Sequence, residues 1–143
     1  MESTGFAPFD TIRSYLPWLD LYLMDLKHMD SEKHRAFTSQ PNHLILENAV
    51  KIAGQATELI IRVPVIPTFN DTPQEIGAIA RFASSLPNVT RLHLLPYHRM
   101  GQDKYAGLGR DYGMRDLLPP SAETMQSLLA AASVTGLDCQ IGG

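Results

Sequence analysis

Cysteine is all but absent: Cys139 is the single one among 143 residues. That excludes an intramolecular disulfide framework and any metal cluster held by this chain's own cysteines. Long apolar runs are missing too. None approaches the ~18 residues of a membrane span, and the N-terminus lacks the charged-then-apolar pattern of a secretory signal. Positive charge is not in excess either. The formal net charge of -3 offers no basic footprint for nucleic acid or an anionic membrane. A reducing, cytoplasmic setting fits these features. No repeat, low-complexity tract or long linker divides the chain, so its length bounds it to one domain around one core.

What is present alternates between two periodicities. "FDTIRSYLPW" reads as a short helix capped by Asp10, and "DLYLMDLK" as a strand. "DSEKHRAFT" is a short helix with Asp30 or Ser31 at its cap. "NHLILENAVKIAGQA" places Leu44, Ile45, Ala49, Ile52 and Ala53 at the three- and four-residue spacing of a helix. "ELIIRVPVIP" is a β-branched strand. "TPQEIGAIARFASSL" opens with Thr72 as cap, Pro73 in the first turn and Glu75 in the place of a reciprocal capping box. "VTRLHLLPY" is a strand, "SAETMQSLLAAASVTG" a helix from a Ser121 cap to a stop at Gly136, and "LDCQIGG" a last short strand. Strands alternating with helices predict right-handed βαβ units, hence an α/β fold with a parallel sheet. Four strands cannot close a barrel alone.

In parallel α/β sheets ligands gather beyond the carboxyl ends of the strands. The first strand ends in Asp25 and Lys27, which share a face because side chains alternate. The second carries Arg62 ahead of Pro64 and Pro67, which should end its ladder. The third runs into "LLPYH", with Pro96 interrupting it and His98 just outside. A carboxylate, two cations and an imidazole at one edge suit a zwitterionic small molecule, its carboxylate on Lys27 and Arg62. The alternative is an internal salt-bridge network of Asp25, Lys27 and Arg62.

The five histidines show no metal-binding spacing: His28 and His34 lie six apart, His93 and His98 five apart. His34 reads as a helix-surface residue and His93 as a strand residue meeting a helix. "GQDKYAGLGRDYG" is Gly-rich but has no G-K-[ST], which argues against a phosphate loop. Cys139 reads as a small core residue. Met24, Met29, Met100, Met114 and Met125 read as packing, and Tyr97 and Tyr105 as rim residues or as core or loop packing.

Three segments also carry a family resemblance. "DLYLMDLKHMDSEKHRAFTSQPNHLILENA", "IRVPVIPTFNDTPQEI" and "LHLLPYHRMGQDKYAGLGRDY" resemble, in order and spacing, the glycyl-radical-enzyme activating enzymes. The pyruvate formate-lyase activase is the best known of these radical S-adenosylmethionine proteins. The similarity runs from about Glu2 to the terminal "IGG", and "MESTGFAPFD" looks like the family's E/D-T-x-G segment. The resemblance implies a partial TIM-type (β/α) barrel, with residues 1–143 forming the C-terminal portion of the radical S-adenosylmethionine domain. It implies S-adenosylmethionine as cofactor and a 4Fe–4S cluster whose ligands lie in an N-terminal half not matched here. Its partners would be a glycyl radical enzyme, whose glycine is the substrate, and an electron donor such as flavodoxin.

Residue by residue, the resemblance implies cofactor contacts for Asp25, Lys27, Arg62 and His98. It implies a monovalent cation held by Asp25 with Glu2, and a rim loop at Asn70 and Asp71. No catalytic side chain is assigned, and this chain alone is expected to be inactive. Two rival expectations belong to other classes. One is a stand-alone interaction module that binds a glycyl radical enzyme. The other is a metal-dependent hydrolase using His28, His93 or His98.

Overall fold

A computed structural model describes residues 1–98 and 117–143. The order of elements is β1 (Glu2–Ser3), α1 (Phe9–Tyr15), a 3-10 turn (Leu16–Trp18), β2 (Tyr22–Asp25), α2 (Ser31–Thr38) and α3 (His43–Ala53). There follow β3 (Leu59–Val65), α4 (Pro73–Ser84), β4 (Val89–Pro96), α5 (Ala122–Ser133) and β5 (Asp138–Ile141). Residues 99–116, with Met100, Tyr105, Met114 and the Gly-rich segment, lie outside the described residues.

The five strands are all parallel and stand in the order β1-β2-β3-β4-β5. Crossovers of the usual right hand between successive neighbours fit the shared core of α1, α3, α4 and α5, which lie on the same face. A sheet wound in one direction is a barrel segment, whereas a doubly wound sheet would reverse its order. The fold is the expected α/β partial barrel, with one strand more than the sequence reading placed. That strand, β1, is two residues long, too short to show a period.

Strand pleating separates two chemistries. Tyr22, Met24, Leu59, Ile61, Val63, Val65, Leu92 and Leu94 are buried in one core with Ile45, Ala49 and Ile52 of α3, Ile76, Ile79 and Ala80 of α4, and Leu128 of α5. The intervening residues point to the other face. There the in-register partners Asp25, Arg62, His93 and Gln140 form a polar row across four strands. His93 is therefore on the open face and not against a helix, as strand parity alone requires. Cys139, one place from that row, packs half-buried at the border of the helix-side core, where burial pushes its thiol pKa up.

Several local expectations need correction. Asp10 does not cap α1; Pro8 holds that position, and Asp10 sits in the first turn paired to Arg13 at 3.0 Å. Asp30 caps α2 through the amides of Glu32 and Lys33, and Thr72 caps α4 through the Glu75 amide. The Glu75 carboxylate does not complete a capping box. It reaches across to the Met29 amide at 2.6 Å. His34 is buried, not on the helix surface, because its Nδ1 is satisfied by the Gln40 carbonyl at 2.6 Å. Pro64 does not end β3, which stays paired to β4 through Val65. Nor does Pro96 interrupt β4; it is that strand's last residue.

Candidate functional site

Asp25 closes β2 and lies in register with Arg62 of β3. The Arg62 guanidinium reaches Asp25 Oδ1 through Nε at 2.9 Å and through Nη2 at 2.8 Å. The same Nη2 bonds Glu2 of β1. Two carboxylates from two strands therefore converge on one buried guanidinium. The hydrogen bond from Arg62, and then its charge, hold the Glu2 carboxyl below its usual range, and Glu2 reciprocally raises Arg62. The two residues expected to share a cation thus stand around a fixed cationic group.

Lys27 continues the open face two residues beyond Asp25. Among the described residues no ion pair or hydrogen bond engages its ammonium, so it stays outside the Glu2–Asp25–Arg62 network. It lines a cleft of about 150 Å³ with Thr4, Phe6, Asp25, His34 and Ile45. A free ammonium beside a carboxylate that spends one oxygen on Arg62 can receive a ligand carboxylate or a pair of hydroxyls. His98 lies two residues past the end of β4, at the same end of the sheet, and is exposed. Asp25, Lys27, Arg62 and His98 therefore share the carboxyl side of the sheet. Asp25 and Arg62 touch; His98 stands farther along.

The sequence reading missed what holds this rim together. Three buried asparagines each give their side-chain amide to two backbone carbonyls at the strand exits. Asn48 bonds Gly5 at 2.7 Å and Ala7 at 2.8 Å. Asn42 bonds His28 at 2.9 Å and Met29 at 2.8 Å. Asn70 bonds Lys27 and Pro64, each at 2.8 Å. One signal was available: Asn48 falls three residues after Ile45 and four before Ile52, a polar residue on the apolar stripe of α3. Gly5 completes this corner. Its φ is +71°, and a Cβ there would meet Met24 Cε at 2.7 Å. Asp71 accepts the amide of Thr68, a β-branched residue held at φ 68°.

His28 is buried behind the rim. Its Nδ1 accepts the Asp30 amide at 3.0 Å and lies 3.2 Å from Glu75, and its ring tilts against Phe69. Burial lowers its pKa, with Glu75 opposing. His93 is also lowered, first by burial and then by Arg91, with Asp138 opposing; its Nε2 is buried without a partner among the described residues. Among the described residues, no three His, Cys, Asp or Glu side chains are grouped to hold a metal ion.

Comparison with known proteins decides the family. The chain is 42% identical over 143 residues to the isethionate sulfite-lyase activating enzyme of Desulfovibrio desulfuricans, covering 99% of this chain and 46% of that protein. It is 32% identical to the (2S)-3-sulfopropanediol dehydratase activating enzyme of Klebsiella oxytoca, with 99% and 46% covered. A crystal structure of a domain of pyruvate-formate lyase-activating enzyme from Bacteroides vulgatus superposes with a TM-score of 0.79 at 31% identity. It spans 99% of this chain and 79% of that one. This chain belongs to the glycyl-radical-enzyme activating enzymes. No protein-family model matches it. As a member of that family it spans about half the length of the curated relatives it matches. The "DLK", "RVPVIP" and "LLPYH" motifs of this activase-family chain are the three strand exits just described.

Proposed function

We propose that these 143 residues are the C-terminal part of a radical S-adenosylmethionine activase that places a glycyl radical on a partner enzyme. Lys27 would take the cofactor's carboxylate or ribose hydroxyls, with the free oxygen of Asp25 beside it. Arg62 would hold Asp25 oriented, and His98 would lie along the adenosyl side. The observation that carries this reading is a Lys27 ammonium that pairs with no group among the described residues and lines one cleft with a carboxylate already fixed by Arg62, at the ligand-bearing end of a parallel sheet.

The donor set does not fit an iron–sulfur cluster. The one cysteine, Cys139, is half-buried toward the helix-side core, so cluster ligands would come from another part of the activase. When bound and reduced, the cofactor supplies the radical that abstracts hydrogen. This part of the chain binds, orients and excludes water. The partner would be a glycyl radical enzyme, the electron donor a flavodoxin-type protein, and the setting cytoplasmic.

Anaerobic reconstitution of the chain with iron and sulfide tests the division of labour. The expected product has no 4Fe–4S absorption and does not cleave S-adenosylmethionine. A stable cluster with reductive cleavage of the cofactor would overturn it.

A further inference from the structure

Beyond the rim contacts themselves, the end of the β2–β3 ladder shows how Lys27 is held. The Arg62 carbonyl accepts from the Leu26 amide at 2.9 Å, so Arg62 faces β2. By two-residue alternation Pro64 faces β2 as well. Proline has no N–H to give, and at that level β2 has already left the sheet. The Asn70 side chain fills the gap. Its Nδ2 donates to both the Lys27 and Pro64 carbonyls, and its Oδ1 accepts the Ile66 amide at 2.8 Å. One buried primary amide thus makes three bonds, to two carbonyls and one amide N–H at the end of the ladder.

We infer that Asn70 is a positioning residue for Lys27. It replaces the interrupted ladder, locks the Lys27 backbone to β3, and so fixes where the ammonium stands relative to the Asp25–Arg62 pair. Its importance for the cofactor rests on the reading proposed above; the locking of Lys27 does not.

Reductive methylation of the whole chain, read per lysine by mass spectrometry, tests this directly. In Asn70→Ala, Lys27 should be modified about threefold faster or more, as expected when a local opening loses its hydrogen bonds. Lys51, on α3, should keep its rate. Ile79→Val, which thins the helix-side core without touching the rim, should leave Lys27 unchanged.

Should Asn70→Ala not fold, Asn70→Asp keeps the shape and the Oδ1 acceptor. Its second oxygen faces two carbonyls, so the acid should titrate above its ordinary range. The Lys27 rate relative to wild type should then stay near unity in mildly acid solution, where the protonated acid can donate, and rise in mildly alkaline solution. A Lys27 rate equal to wild type in Asn70→Ala, or in Asn70→Asp in mildly alkaline solution, or one that rises only as Lys51 rises, would overturn the proposal.

Repeating the labelling with S-adenosylmethionine present separates the two readings. Faster Lys27 labelling in the variants, with no effect of the cofactor on wild type, supports the positioning role and refutes the cofactor assignment.

Discussion

Removing the Asn48 side chain amide should be among the costliest single changes in this domain. Asn48 is fully buried on α3 and donates to the carbonyls of Gly5 and Ala7. Asn48→Ala would leave both acceptors without their donor. Each buried acceptor so orphaned costs about 1–3 kcal/mol. The Ala7 carbonyl is only partly buried and can recruit water. The Asn48 Oδ1, itself buried without a partner among the described residues, disappears with the substitution and returns part of the loss. The net expectation is about 2–4 kcal/mol, or a melting temperature lowered by roughly 5–15 °C for a domain of this size.

Urea and thermal unfolding followed by circular dichroism read this directly. Asn48→Asp supplies the control, because it keeps the shape but offers no N–H when ionised. It should cost at least as much at neutral pH and recover in part on acidification. An Asn48→Ala variant within about 0.5 kcal/mol of wild type would refute the idea that this amide clamps the β1–α1 loop.

Three further outcomes follow from the same structure. His28 and His93 are both held below their ordinary pKa, chiefly by burial. The unfolded chain therefore binds more protons than the folded one as pH falls through the ordinary histidine value, and stability should decrease on acidification from neutrality. His93→Leu should flatten part of that slope, which denaturation midpoints across pH will show. Gly5→Ala forces a side chain into φ +71° against Met24 and should destabilise by about 1–2 kcal/mol. Met24→Leu would relieve only the steric share. Arg62→Met strands Asp25 beside Glu2; since the two carboxylates are 20% and 65% exposed, the cost should be about 1–3 kcal/mol, below that of a fully buried pair. Adding Asp25→Asn should recover most of it in a double-mutant cycle.

Most elements were legible because local and global preferences agree. The alternation of β-branched runs with capped, amphipathic helices places β2 to β5 and α1 to α5, and strand parity puts Asp25 and Lys27 on one face. The misses share a physical cause. Glu75 occupies a capping-box position, yet a distant amide at Met29 outcompetes the local one, and no spacing rule sees 46 residues away. His34 looks solvated because its neighbours are charged; a backbone carbonyl contributed by the loop at Gln40 is what admits it to the interior. Apart from the place of Asn48 on the apolar stripe of α3, the asparagine clamps were hidden for the same reason, since their acceptors lie up to 43 residues away. The Glu2–Arg62 pair needs β1, which at two residues leaves no pattern to read. Sequence periodicity reports which face a side chain takes. It does not report which distant backbone group that side chain will satisfy.

The account stands or falls on whether the carboxyl end of the sheet, and Lys27 above all, receives S-adenosylmethionine. Titrating that molecule into isotope-labelled chain and following amide and Arg62 Nε resonances tests this most directly. Weak, saturable shifts should centre on Asp25, Lys27 and Arg62, extend to His98, and fade in Lys27→Met. Shifts gathered instead around Glu58, Arg91 and Asp138 at the opposite end of the strands, or undiminished in Lys27→Met, would contradict it.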